Sequence, residues 1–324
     1  MNSKDIISHR LIIAMSCLEG FGPVTVRKIC DCFNKERVCP NTPEELWDSF
    51  SSLISLGIGG KKIRETHKSS IYFAFQQAET ILRKNEEMGI KCVSIYDDTF
   101  PNQLHQTKDE NGKSSAPILL YYKGNLRAAN LPGVAIIGTR EPTQEGIIAG
   151  KFFGEYFGSR AFNIVSGLAL GCDTAGHMGA LNANGTTTAL LAHGLDTIFP
   201  PQNKVLAENI VLNGGLLMSE YPIGMTVSMA SLIDRDRLQA GLSRATIVIQ
   251  TGKNGGTMHA AKATIASNKP LFVVQYQDMT HPKVEGNIYL TYNGARYISS
   301  GNVEGIYKKL KEETPEEPFK DTLF

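Results

Sequence analysis

The sequence lacks several features that would assign it quickly to a class of protein. No apolar run approaches the ~18 residues that read as a membrane span, and the start of the chain shows no small-residue cleavage site, so we expect neither a membrane span nor a secretory signal. The six cysteines are scattered without a disulfide framework, which favours the reducing cytoplasm. Cys30, Cys32 and Cys39 lack a fourth ligand at metal-site spacing, so we expect buried thiols and no metal.

An excess of one charge is lacking too. Lys and Arg number 33 against 32 Asp and Glu, giving a net charge of +1. Such a balance supplies no long-range attraction to a polyanion, so any contact with nucleic acid must come from local basic patches.

The signatures of common cofactor and nucleotide sites are also missing. No G-x-G-x-x-G follows the first strand of the α/β region, and no Walker A sequence occurs, which disfavours NAD binding and ATP hydrolysis. The segment Ser166-Gly167-Leu168-Ala169 does not have the nucleophile-elbow pattern. We therefore expect no cofactor and no catalytic residue.

The length of the chain, 324 residues, and its hydrophobic content of 42% predict two domains. Residues 1–105 show apolar residues at helical spacing, such as Leu46, Phe50 and Leu53, and Thr42 with Pro43 forms a helix-start signal. A polar loop is predicted at 106–116, an α/β domain at 117–307 and a charged, flexible tail at 308–324.

The α/β domain alternates continuous apolar runs with longer helical segments. Continuous apolar runs indicate strands covered on both faces, hence a Rossmann-like, doubly wound and mostly parallel sheet. The predicted strands are Val134–Ile137, Asn163–Val165, Thr187–Ala192, Gly215–Met218, Thr246–Gln250 and Leu271–Val274.

A weak internal repeat lies in the helical part. The segments 18–29 and 56–63 share a Gly-apolar-Gly core followed by basic residues and an isoleucine, a pattern typical of helix-hairpin-helix motifs. Free backbone N–H groups at such a turn can bind phosphate, with Lys28, Lys61 and Lys62 as secondary DNA contacts. The alternative, two helix corners that only pack together, carries equal weight.

Glycine-rich or arginine-containing turns punctuate the α/β domain. Glycine permits a sharp turn that exposes N–H donors beside a helix N-terminus, and the carboxyl ends of parallel strands share one edge of a sheet. Arg235 and Arg237 could form a phosphate clamp, or belong to an ion-pair network. The predicted phosphate-binding residues are Gly138, Thr139, Arg140, Ser166, Gly167, Arg235, Arg237, Gly255, Gly256 and Thr257.

Asp173 and His177 are predicted to give structural support. Because a carboxylate repels phosphate, we expect Asp173 to cap its helix, or to fix His177 or an arginine. A base and its orienting acid are the alternative, but no nucleophile stands at a triad-like position.

The order and spacing of these segments resemble the DNA-processing protein A family over residues ~97–275. The matching segments are Tyr121 to Asn125, Ala135 to Arg140, Val165 to Asp173 with His177, His193 to Asp196 with Pro200, Ser219 to Pro222 and Arg235 to Ser243. The resemblance implies a Rossmann-like domain that dimerises and holds single-stranded DNA, with loading of a RecA-type recombinase during natural transformation. It also implies the absence of catalysis.

This chain departs from the family pattern at several positions. Asp236 stands where the family usually has asparagine between two arginines, and Leu170 stands where many members have a basic residue. Members often carry Ser-Gly-Ser or Ser-Gly-Thr where Gly255 to Thr257 stand here. We expect a variant without the winged-helix domain that ends many relatives.

Two rival functions remain open. A nucleoside-monophosphate phosphoribohydrolase would need a glutamate where this chain has Ala260, so acid–base chemistry has no obvious agent. A nucleotide-sensing module would bind a small phosphorylated signal in the same turns. The last residues, Leu323 and Phe324, could form a docking peptide, although a tail without a partner is the preferred interpretation.

Overall fold

A computed structural model describes residues 7–312 of the chain. The chain divides into two compact units. The smaller holds residues up to Phe100 together with Pro117–Tyr121, and the larger holds Pro101–Ala116 and the residues from Tyr122 onward. The predicted docking peptide at Leu323 and Phe324 lies outside the described residues.

The smaller unit is mainly helical, as the apolar spacing predicts. Its elements are α1 (His9–Ser16), α2 (Pro23–Glu36), α3 (Pro43–Ser55), α4 (Gly60–Glu65), α5 (Lys68–Glu87) and strand β1 (Lys91–Ser94). The start signal of α3 is confirmed: the Thr42 hydroxyl accepts a hydrogen bond from Glu45 N at 3.2 Å, and the Glu45 carboxylate accepts one from Thr42 N at 3.3 Å. Such a capping box satisfies N–H groups that the first helical turn leaves free.

Two glycine turns join these helices into hairpins. Gly59 precedes α4 with a φ of 75°, a left-handed conformation that favours glycine, and a Cβ there would collide with the Ile63 side chain. Gly20 lies against the aliphatic chain of Lys62, 3.6 Å from the position that a Cβ would take. The repeated segments therefore pack on each other, while phosphate binding by them stays a prediction.

The larger unit alternates strands and helices along the chain. The strands are β2 (Leu119–Gly124, which begins in the smaller unit), β3 (Gly133–Ile137), β4 (Asn163–Ser166), β5 (Thr187–Leu191), β6 (Leu216–Ser219), β7 (Ala245–Val248), β8 (Leu271–Val274) and β9 (Arg296–Ile298). The helices are α6 (Gln144–Gly158), α7 (Cys172–Asn182), α8 (Lys204–Leu212), α9 (Met229–Leu242), α10 (Thr257–Ala266), α11 (Glu285–Thr291) and α12 (Val303–Glu312).

Seven strands of this unit run in the order β6-β5-β4-β3-β7-β8-β9, and each neighbouring pair is parallel. From β3 the chain winds outward through β4, β5 and β6, then crosses back to β7 on the other side of β3. Ligand crevices of open α/β sheets form beyond the carboxyl ends of the strands at such a switch point. The Rossmann-like, doubly wound fold is thus confirmed.

Helices cover both faces of the sheet. Val134 and Ile136 of β3 pack on one face with Phe153 and Phe157 of α6, and the intervening Ala135 packs on the opposite face in another cluster. Strand residues alternate between faces, and both faces of β3 are buried because both are covered.

Helices α6 and α7 approach each other through glycines. Gly150, Gly154 and Gly158 repeat every four residues along α6, and Gly176 and Gly179 lie on α7. A Cβ on Gly154 would collide with the Gly176 carbonyl oxygen and lie 3.1 Å from Ala180 N. The two backbones are therefore in direct contact.

The predicted elements differ from the structure in their number and in some of their ends. Strands β2 and β9 were not among the predicted strands. Helix α12 continues to Glu312 and so extends into the segment from 308 that was predicted as a flexible tail. In the predicted polar loop, Asp109 accepts hydrogen bonds from the N–H groups of Asn111 and Lys113, both at 2.9 Å. None of the described helices is both long and apolar enough to cross a lipid bilayer.

The glycine contact leads to a test of stability. Gly154→Ala is expected to lower the free energy of unfolding by on the order of 1–3 kcal/mol, because the added methyl group forces the backbones of α6 and α7 apart. Urea denaturation followed by circular dichroism measures this change. Gly305→Ala in α12 is the control: a Cβ there meets nothing within 4 Å, so stability should stay the same or rise by up to ~1 kcal/mol. Equal effects of the two substitutions would contradict the tight contact.

Candidate functional site

The loops that follow β3 and β4 lie side by side at the carboxyl edge of the sheet. The N–H group of Cys172 donates to the Thr139 carbonyl oxygen at 3.1 Å. Gly171 has a φ of 81°, and a Cβ there would lie 2.5 Å from Thr139 O and 2.6 Å from Arg140 O. Only glycine fits this position, because a side chain would clash with the neighbouring backbone.

A cavity of about 280 Å³ opens beside these loops. It is lined by Arg140, Gly167, Ala169, Leu170, Phe199, Pro200, Pro201, Gln202, Leu232 and Arg235. The structure thus brings three predicted residues together, namely Arg140, Gly167 and Arg235. Its walls are mainly apolar, and Phe199 and Leu170 are 44% and 38% exposed.

Arg235 is the buried cation of this cavity, with only 6% of its surface exposed. Its Nη1 donates to the carbonyl oxygens of Gly167, at 2.9 Å, and of Leu190, and its Nε donates to Asp236 Oδ1 at 3.1 Å. Nη2 makes no hydrogen bond with any residue that the structure describes. Because Arg235 lines the cavity, Nη2 is the donor that a ligand can use.

Arg140 supplies the exposed cation. It belongs to the loop after β3, and its side chain has neither a hydrogen bond nor an ion pair within residues 7–312. One arginine fixed by the protein and one free to move therefore line the same cavity. Guanidinium groups bind phosphate through paired N–H donors, so both suit an anionic ligand.

Asp173 supports the loop after β4, although Gly171 and not Asp173 is the N-cap of α7. Its Oδ2 accepts hydrogen bonds from Gly167 N at 3.0 Å and Ala169 N at 3.3 Å. Burial raises the pKa of this carboxyl, and the nearby Arg235 opposes the shift. The expectation that these N–H groups bind phosphate is wrong, since Asp173 already occupies them.

His177 does not pair with Asp173. Its Nδ1 bonds to the Thr187 hydroxyl at 2.6 Å, and that hydroxyl donates to Ile164 O at 2.6 Å, so the imidazole is the donor in the first bond. Complete burial lowers the pKa of His177 to about 3. The neutral, enclosed imidazole thus orients the Thr187 hydroxyl, which links β5 to β4, and serves the packing of the sheet.

Ser166 and Gly138 also face the protein interior. The Ser166 hydroxyl donates to Ile136 O at 2.5 Å and is fully buried, so its predicted contact with phosphate is wrong. A Cβ on Gly138 would lie 2.6 Å from the Cys172 sulfur, which explains the glycine by close packing. The N–H group of Thr139 donates to Gln250 O at 2.7 Å and is likewise occupied.

Arg237 does not form a clamp with Arg235. Two residues apart on a helix, the side chains diverge by about 200°. Arg237 makes a two-point ion pair with Glu220, each N–O distance being 2.7 Å, and its Nε donates to the Ser115 hydroxyl at 2.7 Å. The ion-pair alternative is therefore correct for Arg237, because the protein's own carboxylate occupies the guanidinium.

The turn Gly255 to Thr257 starts α10 and does not line the cavity. Gln250 lies between this turn and α6: its Oε1 accepts from Thr143 N and its Nε2 donates to the Thr143 hydroxyl, both at 2.9 Å. The expected convergence of all the turns on one groove is wrong for this turn, because none of its three residues is among those that line the cavity.

The three predicted secondary contacts lie in the smaller unit. Lys28, Lys61 and Lys62 are exposed, and Lys61 pairs with Glu65 at 3.4 Å. Within residues 7–312, no group of three or more His, Cys, Asp or Glu side chains could hold a metal ion. Cys30, Cys32 and Cys39 are free thiols.

The prediction missed the apolar half of the cavity. Phe199 to Gln202 follow β5, and Leu232 comes from α9. A search for phosphate-binding turns does not find such residues. The sequence signal that could have indicated them is the segment Phe199-Pro200-Pro201, an aromatic residue followed by two prolines in the loop after a predicted buried strand.

Comparison with known proteins places this arrangement in a family. The model of DNA recombination-mediator protein A matches residues 91–311. Protein Smf of Synechocystis sp. is 32% identical over 297 residues, which make up 90% of this chain and 70% of that protein. DNA processing protein DprA of Streptococcus pneumoniae is 33% identical over 233 residues, which make up 70% of this chain and 77% of that protein.

Two solved structures are similar to the chain. The X-ray structure of DNA processing protein A from Streptococcus pneumoniae matches with a TM-score of 0.71 and 26% identity, covering 93% of this chain and 96% of that one. The second is DNA processing protein A from Helicobacter pylori, described for its unique single-stranded DNA binding mode. It matches with a TM-score of 0.60 and 27% identity, covering 69% of this chain and 97% of that one. The predicted resemblance is confirmed, and the chain belongs to the DNA recombination-mediator protein A family.

Proposed function

We propose that this protein binds single-stranded DNA in the cavity beside β3 and β4, and that it does so without catalysing a reaction. The observation that carries the proposal is the pairing of two arginines, Arg140 and Arg235, with an apolar wall in one cavity of about 280 Å³. In this role it would protect single strands and assist a RecA-type recombinase in DNA uptake and recombination.

The cavity offers separate surfaces to the two parts of a nucleotide. Arg140 and Nη2 of Arg235 suit the phosphate, and Leu170, Phe199 and Leu232 suit the face of a base. Bases in a duplex are stacked and paired, so they cannot turn into an apolar cavity without loss of those contacts. This arrangement therefore favours single strands.

The loop after β3 favours a DNA backbone over a dinucleotide cofactor. In dinucleotide-binding folds the pyrophosphate sits at the N-terminus of the first helix. Here the Thr143 hydroxyl accepts a hydrogen bond from Gly146 N at 3.3 Å, and Gln250 holds Thr143 in place, so the protein's own side chains cap the first turn of α6. Glu145 adds a carboxyl group to that turn, which leaves the arginine side chains as the better anion-binding groups.

The absence of catalysis is supported by the chemistry of the lining. No carboxylate, imidazole, thiol or hydroxyl side chain is among the cavity residues. Asp173 and His177 are buried behind it and are engaged with the backbone and with Thr187. Base hydrolysis would need a carboxylate at position 260, which is alanine.

Family membership supports the remaining parts of the proposal, a homodimer and a RecA-type partner. The exposed Lys28, Lys61 and Lys62 are proposed as secondary DNA contacts on the smaller unit. Because the net charge is only +1, these local cations would contribute the salt-sensitive part of binding.

A nucleotide-sensing role is the second candidate, because the size of the cavity suits a single nucleotide. Competition separates the two functions. Labelled oligo-dT should be displaced by unlabelled oligo-dT at far lower concentrations than by thymidine monophosphate. Tight, saturable binding of a mononucleotide that oligo-dT fails to displace would instead support the sensor.

Substitution of the exposed arginine tests the site directly. Arg140→Ala is expected to weaken binding of oligo-dT by roughly tenfold to a hundredfold, because a charge-assisted hydrogen bond to phosphate is lost. The log-log salt slope should become shallower by about 0.7, the share of one contact on a single strand. Fluorescence anisotropy at several salt concentrations measures both quantities.

Arg127→Ala provides the matched control. Arg127 is an exposed arginine of the same unit that does not line the cavity. Its substitution removes the same charge and should change the affinity by less than about threefold, the effect expected of a screened surface charge. The site assignment is wrong if both variants lose affinity equally, or if neither does.

The proposed lack of catalysis has its own assay. Nucleoside monophosphates incubated with the protein should release no free base above a buffer blank, as measured by chromatography, since no general acid or base faces the cavity. Release that depends on the protein and disappears in Arg140→Ala would show an enzyme at this site.

A further inference from the structure

Behind the cavity, one buried cation lies among two buried carboxylates. Arg235 donates through Nε to Asp236 Oδ1 at 3.1 Å, and their side chains are only 7% and 14% exposed. Asp173 is 5% exposed and interacts electrostatically with both residues. If both carboxylates are ionised, the trio carries one net negative charge directly behind the donor that faces the ligand.

The two carboxylates differ in how well their ionised forms are stabilised. Asp173 accepts two backbone N–H hydrogen bonds, which favour the carboxylate. Among residues 7–312, the Asp236 carboxylate accepts one hydrogen bond, from Arg235. Of the two, Asp236 is therefore the one that takes up a proton more readily.

The groups that face Asp236 come from three helices. Arg235 lies beside it on α9, Asp173 on α7 and His259 on α10, and His259 in turn bonds to Glu110 at 2.8 Å. The pKa of Asp236 is raised to about 6: burial is the largest cause and Asp173 also raises it, while Arg235 and His259 act in the opposite direction. This carboxyl therefore titrates near neutral pH.

We propose that binding of the DNA backbone is coupled to protonation of Asp236, so that acid strengthens binding and alkali weakens it. The inference rests on the proposed function, since it concerns the same cavity. A phosphate near Nη2 and the Asp236 carboxylate compete for one guanidinium. Protonation of Asp236 removes its negative charge and leaves Arg235 to the ligand.

The direction of the pH dependence follows from linkage. A bound phosphate disfavours the nearby carboxylate, so the pKa of Asp236 is higher in the complex than the value of about 6 in the free protein. Affinity is constant above both pKa values, rises as the pH falls between them, and is constant again below the lower one. For charges several ångströms apart behind protein, a change of about tenfold is expected.

The experiment compares wild type with Asp236→Asn, which has nearly the same shape and cannot ionise. Affinity for labelled oligo-dT is measured by fluorescence anisotropy between about pH 5.5 and 8.5 at fixed ionic strength. This range includes the pKa of about 6 of Asp236 in the free protein, and it also includes the ordinary pKa of histidine, which is why a histidine control is needed. Wild type should lose about tenfold in affinity as the pH rises. Asp236→Asn should bind tightly throughout.

Asp234→Asn is the matched control. Asp234 is an exposed aspartate on the same helix, so the same charge is removed away from the cavity. This variant should keep the slope of the wild type. His259→Gln should keep the size of the affinity change, which separates Asp236 from the neighbouring imidazole, and should displace the change to higher pH, because His259 lowers the pKa of Asp236.

A second measurement needs no variant and so does not depend on how Asp236→Asn folds. Calorimetric titration of wild type with oligo-dT near pH 6.5, in two buffers that differ in ionisation enthalpy, should show net proton uptake on binding. An affinity of the wild type that does not change with pH, no proton uptake, or an unchanged slope in Asp236→Asn overturns the coupling. Failure of folded wild type to bind oligo-dT at any pH overturns the proposed function instead.

Discussion

The buried guanidinium of Arg235 is the interaction on which the site depends. It joins the loop after β4, through Gly167 O, to the end of β5, through Leu190 O. A charge in such a place is unfavourable unless its donors are satisfied. Carbonyl oxygens and Asp236 satisfy two of its three nitrogens, and the residue also lines the cavity. The glycine at 167 is a direct consequence, because a Cβ there would collide with the guanidinium.

Most of the polar groups described at this edge of the sheet form hydrogen bonds within the protein. Asp173 binds the N–H groups of the loop after β4, and Gln250 binds the start of α6. A free helix N-terminus attracts any small anion. Arginine side chains beside an apolar wall require a ligand that has both charge and flat apolar faces. Because the protein's own side chains occupy backbone N–H groups at this edge, the site favours a ligand with both an anionic group and a flat apolar face over a small anion.

The fold could be predicted from the sequence because its signals are local. Continuous apolar runs gave the strands from β3 to β8, and Thr42 and Thr143 mark the starts of α3 and α6. Strands β2 and β9 were missed. Strand β9 has three residues and is only partly buried, so it gives almost no periodic signal.

The site was predicted only in part, because convergence depends on distant contacts. Arg140, Gly167 and Arg235 meet as expected. The helical spacing of Arg235 and Arg237 separates their side chains. It does not show which of the two pairs with a carboxylate of the protein, because Glu220, the partner of Arg237, lies on a different segment. The residues between β7 and α10 also follow a strand, but no property of their own sequence shows that they lie outside the cavity.

The glycine contact between α6 and α7 has a consequence for the speed of association. Each of these helices begins where one of the cavity loops ends, and their backbones touch. The backbones of the loops are therefore held before any ligand arrives, and on binding only the DNA and the Arg140 side chain have to give up conformational freedom. A preformed receptor of this kind avoids a slow rearrangement, so encounters with exposed strands should be productive at the ordinary rate for docking of specific surfaces.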